Sequence, residues 1–590
     1  MRKLESIMSL HQKGHLTEAE AGYKSLFDKN ASDINLNYLY GKLLLDTNRA
    51  ENALPLLTYA YEKTQSNITV LCEYAKCLLG LNRYEDAYRC LAPFNNNSFE
   101  TTKLFLRAAS GVCNDIELES WYQKLKTSQN NIALTNHVAG LFDSRGVLTK
   151  ASELYKTVLK EDQNNTTALH NLATVFRRLE NSEEALNLLQ RAKLNGLNNF
   201  QLYHNLGNAY SDLNKLESAI ESYERAIQLN PYYVDSYKNL ASIYAEVGSI
   251  NKSLAIFESA IQSGNTSNEM LIALAEQYLR MGNVELAETL LNSHPNLDRS
   301  STAYLQCMAR LYHAGENYQE AFMLLKDKTD SALMLDAAQY ALQVDEPDYV
   351  LNTMPPLTKS SDSSVMAKAY LSVAERLSKR NLHRKSYCRY SKLVRTFQLP
   401  DVVGGKAASD FIALLKDHVS QLHNAKSAPL QQTVNGGTQT RGNVLSSNNE
   451  HLAELRLFFE DSVRKYISEV EAIDDLHEFV VLPNNDFTIV GAWSVFLSDK
   501  GYHTNHVHPE GRLSAVFYIE IPSELAHEEH EGYLSFGTPN FKLKTDLTHE
   551  FTVRPEVGKL VIFPSYFWHG TIPFKSDEKR LTIAFDISSS

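Results

Sequence analysis

Apolar positions recur at helical spacing through the first two thirds of the chain, and the recurrence itself repeats. In "FQLYHNLGNAYSDLNKLESAIESYERAIQLNPYY", Tyr203, Leu206, Gly207 and Tyr210 share one face of a first helix. Ala219, Tyr223 and Ala226 share one face of a second, before Pro231 ends the run. Blocks of this kind start at Ile132, Thr166, Phe200, Val234 and Asn268, each 34 residues after the last without insertion. The block at Val234 carries Tyr237, Leu240, Ala241, Tyr244, Ser253, Phe257 and Ala260; the block at Thr166 carries Leu172, Ala173, Phe176, Ala185 and Ala192. Weaker copies precede them ("GHLTEAEAGYKSLF", "NRAENALPLLTYAYEK", "NRYEDAYRCLAPF"), and the helical period continues with decaying register to about residue 400, for about nine copies.

After "RTFQLPDVVGG" the pattern changes. The stretch "NAKSAPLQQTVNGGTQTRGNVLSSNNEH" has the composition of a linker. An amphipathic helix follows, "HLAELRLFFEDSVRKYISEVEAI", and from Phe487 the chain alternates in short strands: "FTIVGAWSVFLS", "LSAVFYIEI", "EGYLSFG", "GKLVIFPS" and "RLTIAFDI". A helix leading into several antiparallel strands predicts a β-sandwich or jelly roll with helical support.

The helical blocks resemble the tetratricopeptide family, with small residues at Gly207 and Ala219 where two antiparallel helices approach closely. The resemblance implies an all-α superhelix with a concave inner surface. Asn171, Asn205 and Asn239 take the sixth position of the first helix in successive copies, a position that faces the concave side in this family. A ladder of amides offers both donor and acceptor to an extended peptide backbone, so these three are candidate partner-binding residues; the competing reading is that Asn is simply common there.

The chemistry lies near the C-terminus. In a strand, residues i and i+2 point to one face, so His506 and His508 of "NHVHPEG" are expected to project together. A third imidazole is available at His569 in "FPSYFWHGT", 63 residues after His506. Two close ligands followed by a distant histidine is how mononuclear non-haem Fe(II) sites are built on a jelly roll. Eleven residues beyond His569 stands Arg580, which alternation puts on one strand face with Thr582, Ala584 and Asp586, opposite Leu581, Ile583, Phe585 and Ile587. An arginine on the metal-site face suits bidentate pairing with the remote carboxylate of 2-oxoglutarate, with Thr582 adding a hydroxyl bond.

The segment from about Leu430 to Ser590 resembles a family of 2-oxoglutarate/Fe(II) oxygenases often found behind tetratricopeptide repeats. The matching blocks are "NGGTQTRGNVL", "GAWSVFLSDKGYHTNHVHPEGRLSAVFYIEIP", "GYLSFGTP" and "KLVIFPSYFWHGTIPF" with "RLTIAFD". The expected architecture is therefore a tetratricopeptide superhelix over 1–400 (clearest over 132–301), a connecting segment over 401–424, and an antiparallel double-stranded β-helix, or jelly roll, with supporting helices over 425–590. The resemblance draws the apparent linker at Asn435 to Asn443 into this last domain. It implies Fe(II), with 2-oxoglutarate as co-substrate, and oxidative decarboxylation to succinate and CO2 coupled to hydroxylation of a C–H bond.

The usual facial triad is His-x-Asp/Glu with a distal His, and this chain offers His-x-His. Three ligand sets stay open: His506, His508 and His569 together; His506 and His569 with His508 merely nearby; or His508 and Glu510 as the His-x-Glu pair. Pro509 disfavours the last by ending a strand before Glu510. Histidines inside a small barrel can also be hydrogen-bonded core residues, although three with a suitably spaced arginine are less easily explained so. Beyond the metal site no separate catalytic residue is assigned. Trp493, Tyr518 and Trp568 flank the candidate ligands and are placed to line the mouth; aromatics are more often packing, and they are left out of the site. His527 and His530 of "AHEEHEG" belong to an acidic loop, and the Pro-Cys-x-x-Cys partner of a zinc deaminase is missing because no cysteine follows Cys388. Neither a Gly-x-Ser-x-Gly elbow nor a phosphate-binding loop occurs.

Composition narrows the partners. With 590 residues, 43% hydrophobic and 22% charged, the chain is long enough for at least two cored domains. A net charge of -12 gives no general attraction to nucleic acid or anionic membrane. The absence of a long apolar run and of a signal-peptide core leads to an expected cytoplasmic location, and the six scattered cysteines read as reduced thiols. The expected function is hydroxylation of a protein or peptide recruited by the repeats. The rivals are a non-catalytic adaptor with a degenerate jelly roll, and a three-histidine dioxygenase that does not use 2-oxoglutarate.

Overall fold

The computed structural model describes the chain except residues 1, 65–66, 127–130, 296, 360–363, 379–386, 424–432, 441, 447–448, 472–486, 524, 526–529 and 590. It forms two compact units, Met1–Leu197 and Asn198–Ser590. Among the described residues the first unit holds six helical hairpins, from Arg2–Gln12 with Leu16–Phe27 to Thr166–Arg178 with Ser182–Leu194. The second holds five more, from Phe200–Asp212 with Leu216–Leu229 to Ser331–Gln343 with Pro347–Thr353, and then the β-rich region. Eleven hairpins exceed the nine expected copies. Copies with a second helix of 8 and 7 residues (Tyr318–Leu325 and Pro347–Thr353) carry too little of the apolar pattern to be legible.

Each hairpin is punctuated locally. Asn165, Asn199, Ser267 and Ser301 cap first helices by accepting from the backbone N–H three residues on, a bond worth about 1 kcal/mol. The turn to the second helix needs one left-handed residue, and Gly146, Glu180, Asn214, Gly248, Gly282 and Glu316 supply it at intervals of 34. Gly207 sets the approach of the two helices in its hairpin, since a Cβ there would lie 2.6 Å from the Tyr223 ring.

The β-rich region has strands β1 (Arg395–Gln398), β2 (Val402–Val403), β3 (Lys406–Ala407), β4 (Val434–Gln439), β5 (Phe487–His503), β6 (Leu513–Glu520), β7 (Leu534–Phe536), β8 (Phe551–Val553), β9 (Lys559–Pro564), β10 (His569–Thr571) and β11 (Arg580–Ser589). A six-stranded antiparallel sheet in the order β1-β9-β6-β11-β5-β4 faces a three-stranded sheet, β10-β7-β8, the two layers of a jelly roll. On β11 the expected alternation holds. Leu581, Ile583, Phe585 and Ile587 are fully buried. Phe585 stacks at 4.4 Å on Phe459 of the helix Glu450–Glu471, which covers the outer face of the large sheet. The opposite face of β11 is left to line the space between the sheets.

The jelly roll recruits chain from well before residue 425. β1 is an edge strand on β9, and the helix Ala408–Ser420 in the stretch 401–424 buries Phe411, Leu415 and Val419. The former linker contributes β4, paired to β5. The helix Ser364–Leu377 ties the sheets to the repeats of the same unit. The Trp568 indole donates to Ala369 O at 3.1 Å, Arg376 donates to Gly537 O and to Thr548 O, and Arg512 donates to Ser364 Oγ at 3.0 Å. Among the described residues no helix is long and apolar enough to cross a membrane.

Candidate metal and co-substrate site

Three of the named histidines converge. One ring nitrogen from each of His506, His508 and His569 lies within 4.8 Å of the others, the one such group of metal-ligating side chains among the described residues. His569 opens β10, as expected of a distant strand. His506 and His508 do not sit in a strand, which corrects the expectation that strand alternation aligns them. β5 ends at His503, and the next residues form an irregular run fixed by backbone bonds. His506 pairs with His569 as an isolated antiparallel bridge, and His508 N donates to Ser565 O at 3.1 Å. A turn then carries Pro509 and Glu510 outward. Glu510 is exposed and lies outside the three-nitrogen group, so the geometry favours His508 over it.

Each imidazole has its outer nitrogen committed. His506 Nδ1 donates to Thr504 O at 2.8 Å and His569 Nδ1 to Phe567 O at 2.8 Å; a carbonyl can only accept, which fixes both tautomers. His508 Nδ1 donates to the Asp586 carboxylate at 2.8 Å. Three Nε2 lone pairs are thus left to face one another. Burial holds His569 well below the ordinary imidazole range, helped by the neighbouring imidazoles, and pushes His506 down to about 3. Neutral rings with fixed orientation are the form a metal ligand requires. The donor set suits a divalent first-row metal with open positions.

The same cavity contains Arg580 and Thr582. Arg580 is 2% exposed, its Nε has no hydrogen-bond partner, and among the described residues no carboxylate pairs with it. Its guanidinium lies 5.1 Å above the Tyr518 ring. A buried guanidinium that meets no carboxylate among the described residues is costly unless an anion joins it, so the residues present fit a carboxylate-bearing co-substrate.

Sequence reading missed several neighbours. Trp493, set aside as packing, lines the cavity and lies nearly parallel to His508, 5.5 Å between ring centres. His503 adds a fourth imidazole to the wall, its Nδ1 at 2.9 Å from Thr433 Oγ1. Trp568 is packing, as expected. His530 is exposed and His527 lies outside the described residues. Of the asparagines, Asn171 belongs to the first unit and Asn205 and Asn239 to the second, all half-buried. Asn239 Nδ2 donates to Asn208 Oδ1 at 2.9 Å, and Asn171 Oδ1 lies 3.2 Å from His170 Nδ1. All six cysteines are free.

The chain thus joins helical hairpins to a jelly roll that carries three convergent histidines. Comparison with known families agrees. Residues 491–586 match the model described as "Putative 2OG-Fe(II) oxygenase". Residues 168–198 match "Tetratricopeptide repeat", 207–248 match "TPR repeat", and 246–328 match "Anaphase-promoting complex, cyclosome, subunit 3". The chain carries tetratricopeptide repeats and, behind them, a domain of the 2-oxoglutarate/Fe(II) oxygenase kind. No curated protein matches it. Solved structures similar to parts of it include a tetratricopeptide repeat protein from Parabacteroides merdae (18% identity, 44% of this chain and 98% of that one, TM-score 0.33). Yeast Tom70 is another (15% identity, 66% and 94%, TM-score 0.33), as is MamA (21% identity, 30% and 96%, TM-score 0.24).

Proposed function

We propose that the chain is a 2-oxoglutarate- and Fe(II)-dependent oxygenase that hydroxylates a protein or peptide brought to it by its repeats. The observation that carries this reading is the pairing, in one cavity, of three outward-tied imidazoles with a buried guanidinium that meets no anion among the described residues. His506, His508 and His569 hold the metal through Nε2, and Arg580 with Thr582 holds the far carboxylate of the co-substrate. When bound, iron would supply a place for 2-oxoglutarate and O2 to react, one oxygen atom of O2 going to succinate as CO2 is released and the other to the hydroxylated C–H bond. The chain's own part is orientation and exclusion of water: Leu534 and Phe563 wall the cavity with apolar surface, and Phe563 meets His569 edge-on at 4.6 Å. Asn171, Asn205 and Asn239 are the proposed backbone-holding positions for the partner.

The test is turnover. Full-length protein with Fe(II), O2 and 2-oxoglutarate should form succinate, slowly alone and faster with a bound peptide substrate. Metal binding without any 2-oxoglutarate consumption would favour a three-histidine dioxygenase, and failure to bind metal would favour the adaptor.

A further inference from the structure

The ligand set contains no carboxylate, yet one sits a single hydrogen bond behind it. Asp586 is 9% exposed; its Oδ2 accepts from His508 Nδ1 at 2.8 Å and its Oδ1 from Ser514 Oγ at 2.7 Å. Ser514 Oγ is in turn 2.9 Å from Ser565 Oγ. Among the described residues no lysine or arginine pairs with this carboxylate, and the His508 ring meets it through a hydrogen bond. Arg580 shares its strand face but stands six residues earlier, up to about 20 Å away along an extended strand.

The surroundings are built around it. β11 changes register between Asp586 and Ile587. The turn that follows His508 folds over the carboxylate, held by Arg512 N donating to Ile587 O at 2.7 Å. A Cβ on Gly511 in that turn would lie 2.7 Å from Ser565 Oγ and 3.2 Å from Asp586 Cβ, so a side chain there would have to displace the Ser565 hydroxyl. A carboxylate buried without a cationic side chain needs a compensating charge, and the place for one is the metal position in front of His508.

We infer that Asp586 is the carboxylate of this metal site moved one hydrogen bond outward. It is a positioning residue: it fixes His508 with Nε2 toward the metal and puts a full negative charge behind that ring. The inference rests on reading the three histidines as ligands. It also accounts for the cavity's charge balance. The formal charges of Asp586 and Arg580 sum to zero, and a divalent metal entering with a doubly ionised oxoacid leaves that sum unchanged. Removing the Asp586 charge leaves a positive excess in a low-dielectric interior, where it weighs most against the metal.

The experiment is anaerobic titration of the full chain with Fe(II), and separately with Co(II), without oxoacid. Asp586→Asn keeps the side chain's shape and removes its charge. It should bind metal roughly 10–100-fold more weakly and shift the Co(II) ligand-field bands, while the metal-free protein melts near wild type. Ser514→Ala keeps the charge but frees Oδ1, and should weaken metal binding by a smaller factor; it decides the matter alone if Asp586→Asn fails to fold. Metal affinity unchanged in the variants, with or without a lowered melting point, overturns the inference and leaves Asp586 a structural residue. Wild-type protein that binds no divalent metal overturns the inference together with the functional reading beneath it.

Discussion

His506 and His569 hydrogen-bond to each other's backbone in both directions, at 2.9 and 3.0 Å, although 63 residues separate them in the chain. The meeting point of the ligands is therefore set by main chain, and the imidazoles project from a scaffold that does not depend on them. His506→Ala and His569→Ala should keep the fold at a cost of about 1–3 kcal/mol. Both should lose Fe(II) affinity by more than the roughly 10–100-fold expected of an outer-shell change. Anaerobic titration beside thermal melting separates the two effects.

Arg580 should behave in the opposite way. Its guanidinium is buried with no anion beside it among the described residues, so an apolar side chain of similar length removes a desolvation cost. Arg580→Met is expected to leave the melting point unchanged or higher and metal binding intact, while weakening 2-oxoglutarate by at least about tenfold, the equivalent of a lost charge-assisted bond. Calorimetric titration of the metal-loaded protein with 2-oxoglutarate reads the loss. A variant that melts lower and binds 2-oxoglutarate normally would mean that the guanidinium has a structural partner.

His423 gives the jelly roll a dependence on pH. Its Nδ1 lies 2.8 Å from Thr438 Oγ1 and its Nε2 2.9 Å from Ser494 Oγ, and Ser494 Oγ donates to Thr582 O at 3.1 Å, linking β4, β5 and β11. Burial pushes the imidazole down to about 4 from an ordinary value of 6.5. Above the ordinary value the ring is neutral folded or unfolded. Between there and about 4 the unfolded chain takes up a proton that the folded chain refuses, so stability is lost as the pH falls through this window. The stability difference between wild type and His423→Gln, measured by urea unfolding, should shrink on acidification from pH 7 to pH 4 and stay flat above it.

Shortening the chain should show where the β domain begins. β1 from 395–398, Tyr390 and Leu393, and the helix Ser364–Leu377 are part of the same buried core as the sheets. Residues 425–590 alone are expected to aggregate or to lack cooperative melting, whereas 198–590 should fold. Circular dichroism and gel filtration of the two pieces check this.

The sequence carried the long-period and alternating signals plainly. The 34-residue spacing marks the hairpins, and alternation along β11 places Arg580, Thr582 and Asp586 on one face. What stayed hidden depends on pairing across the chain. β8 and β10 are three residues each, too short to show alternation, and β1 and β4 are strands because β9 and β5 lie beside them. His506 and His508 converge through bridges to His569 and Ser565, a relationship that no local period encodes. Asp586 was on the right face, but its bond to His508 requires the turn through Gly511. Trp493 stands opposite Ala584 on the neighbouring strand, so its place in the cavity follows from register.

The most direct measurement is the visible spectrum of the full chain under anaerobic conditions as 2-oxoglutarate is added to the Fe(II)-loaded protein. A weak charge-transfer band that saturates with 2-oxoglutarate, disappears in His569→Ala and requires Arg580 is the predicted result. Fe(II) bound with no band at any concentration of 2-oxoglutarate would contradict the account.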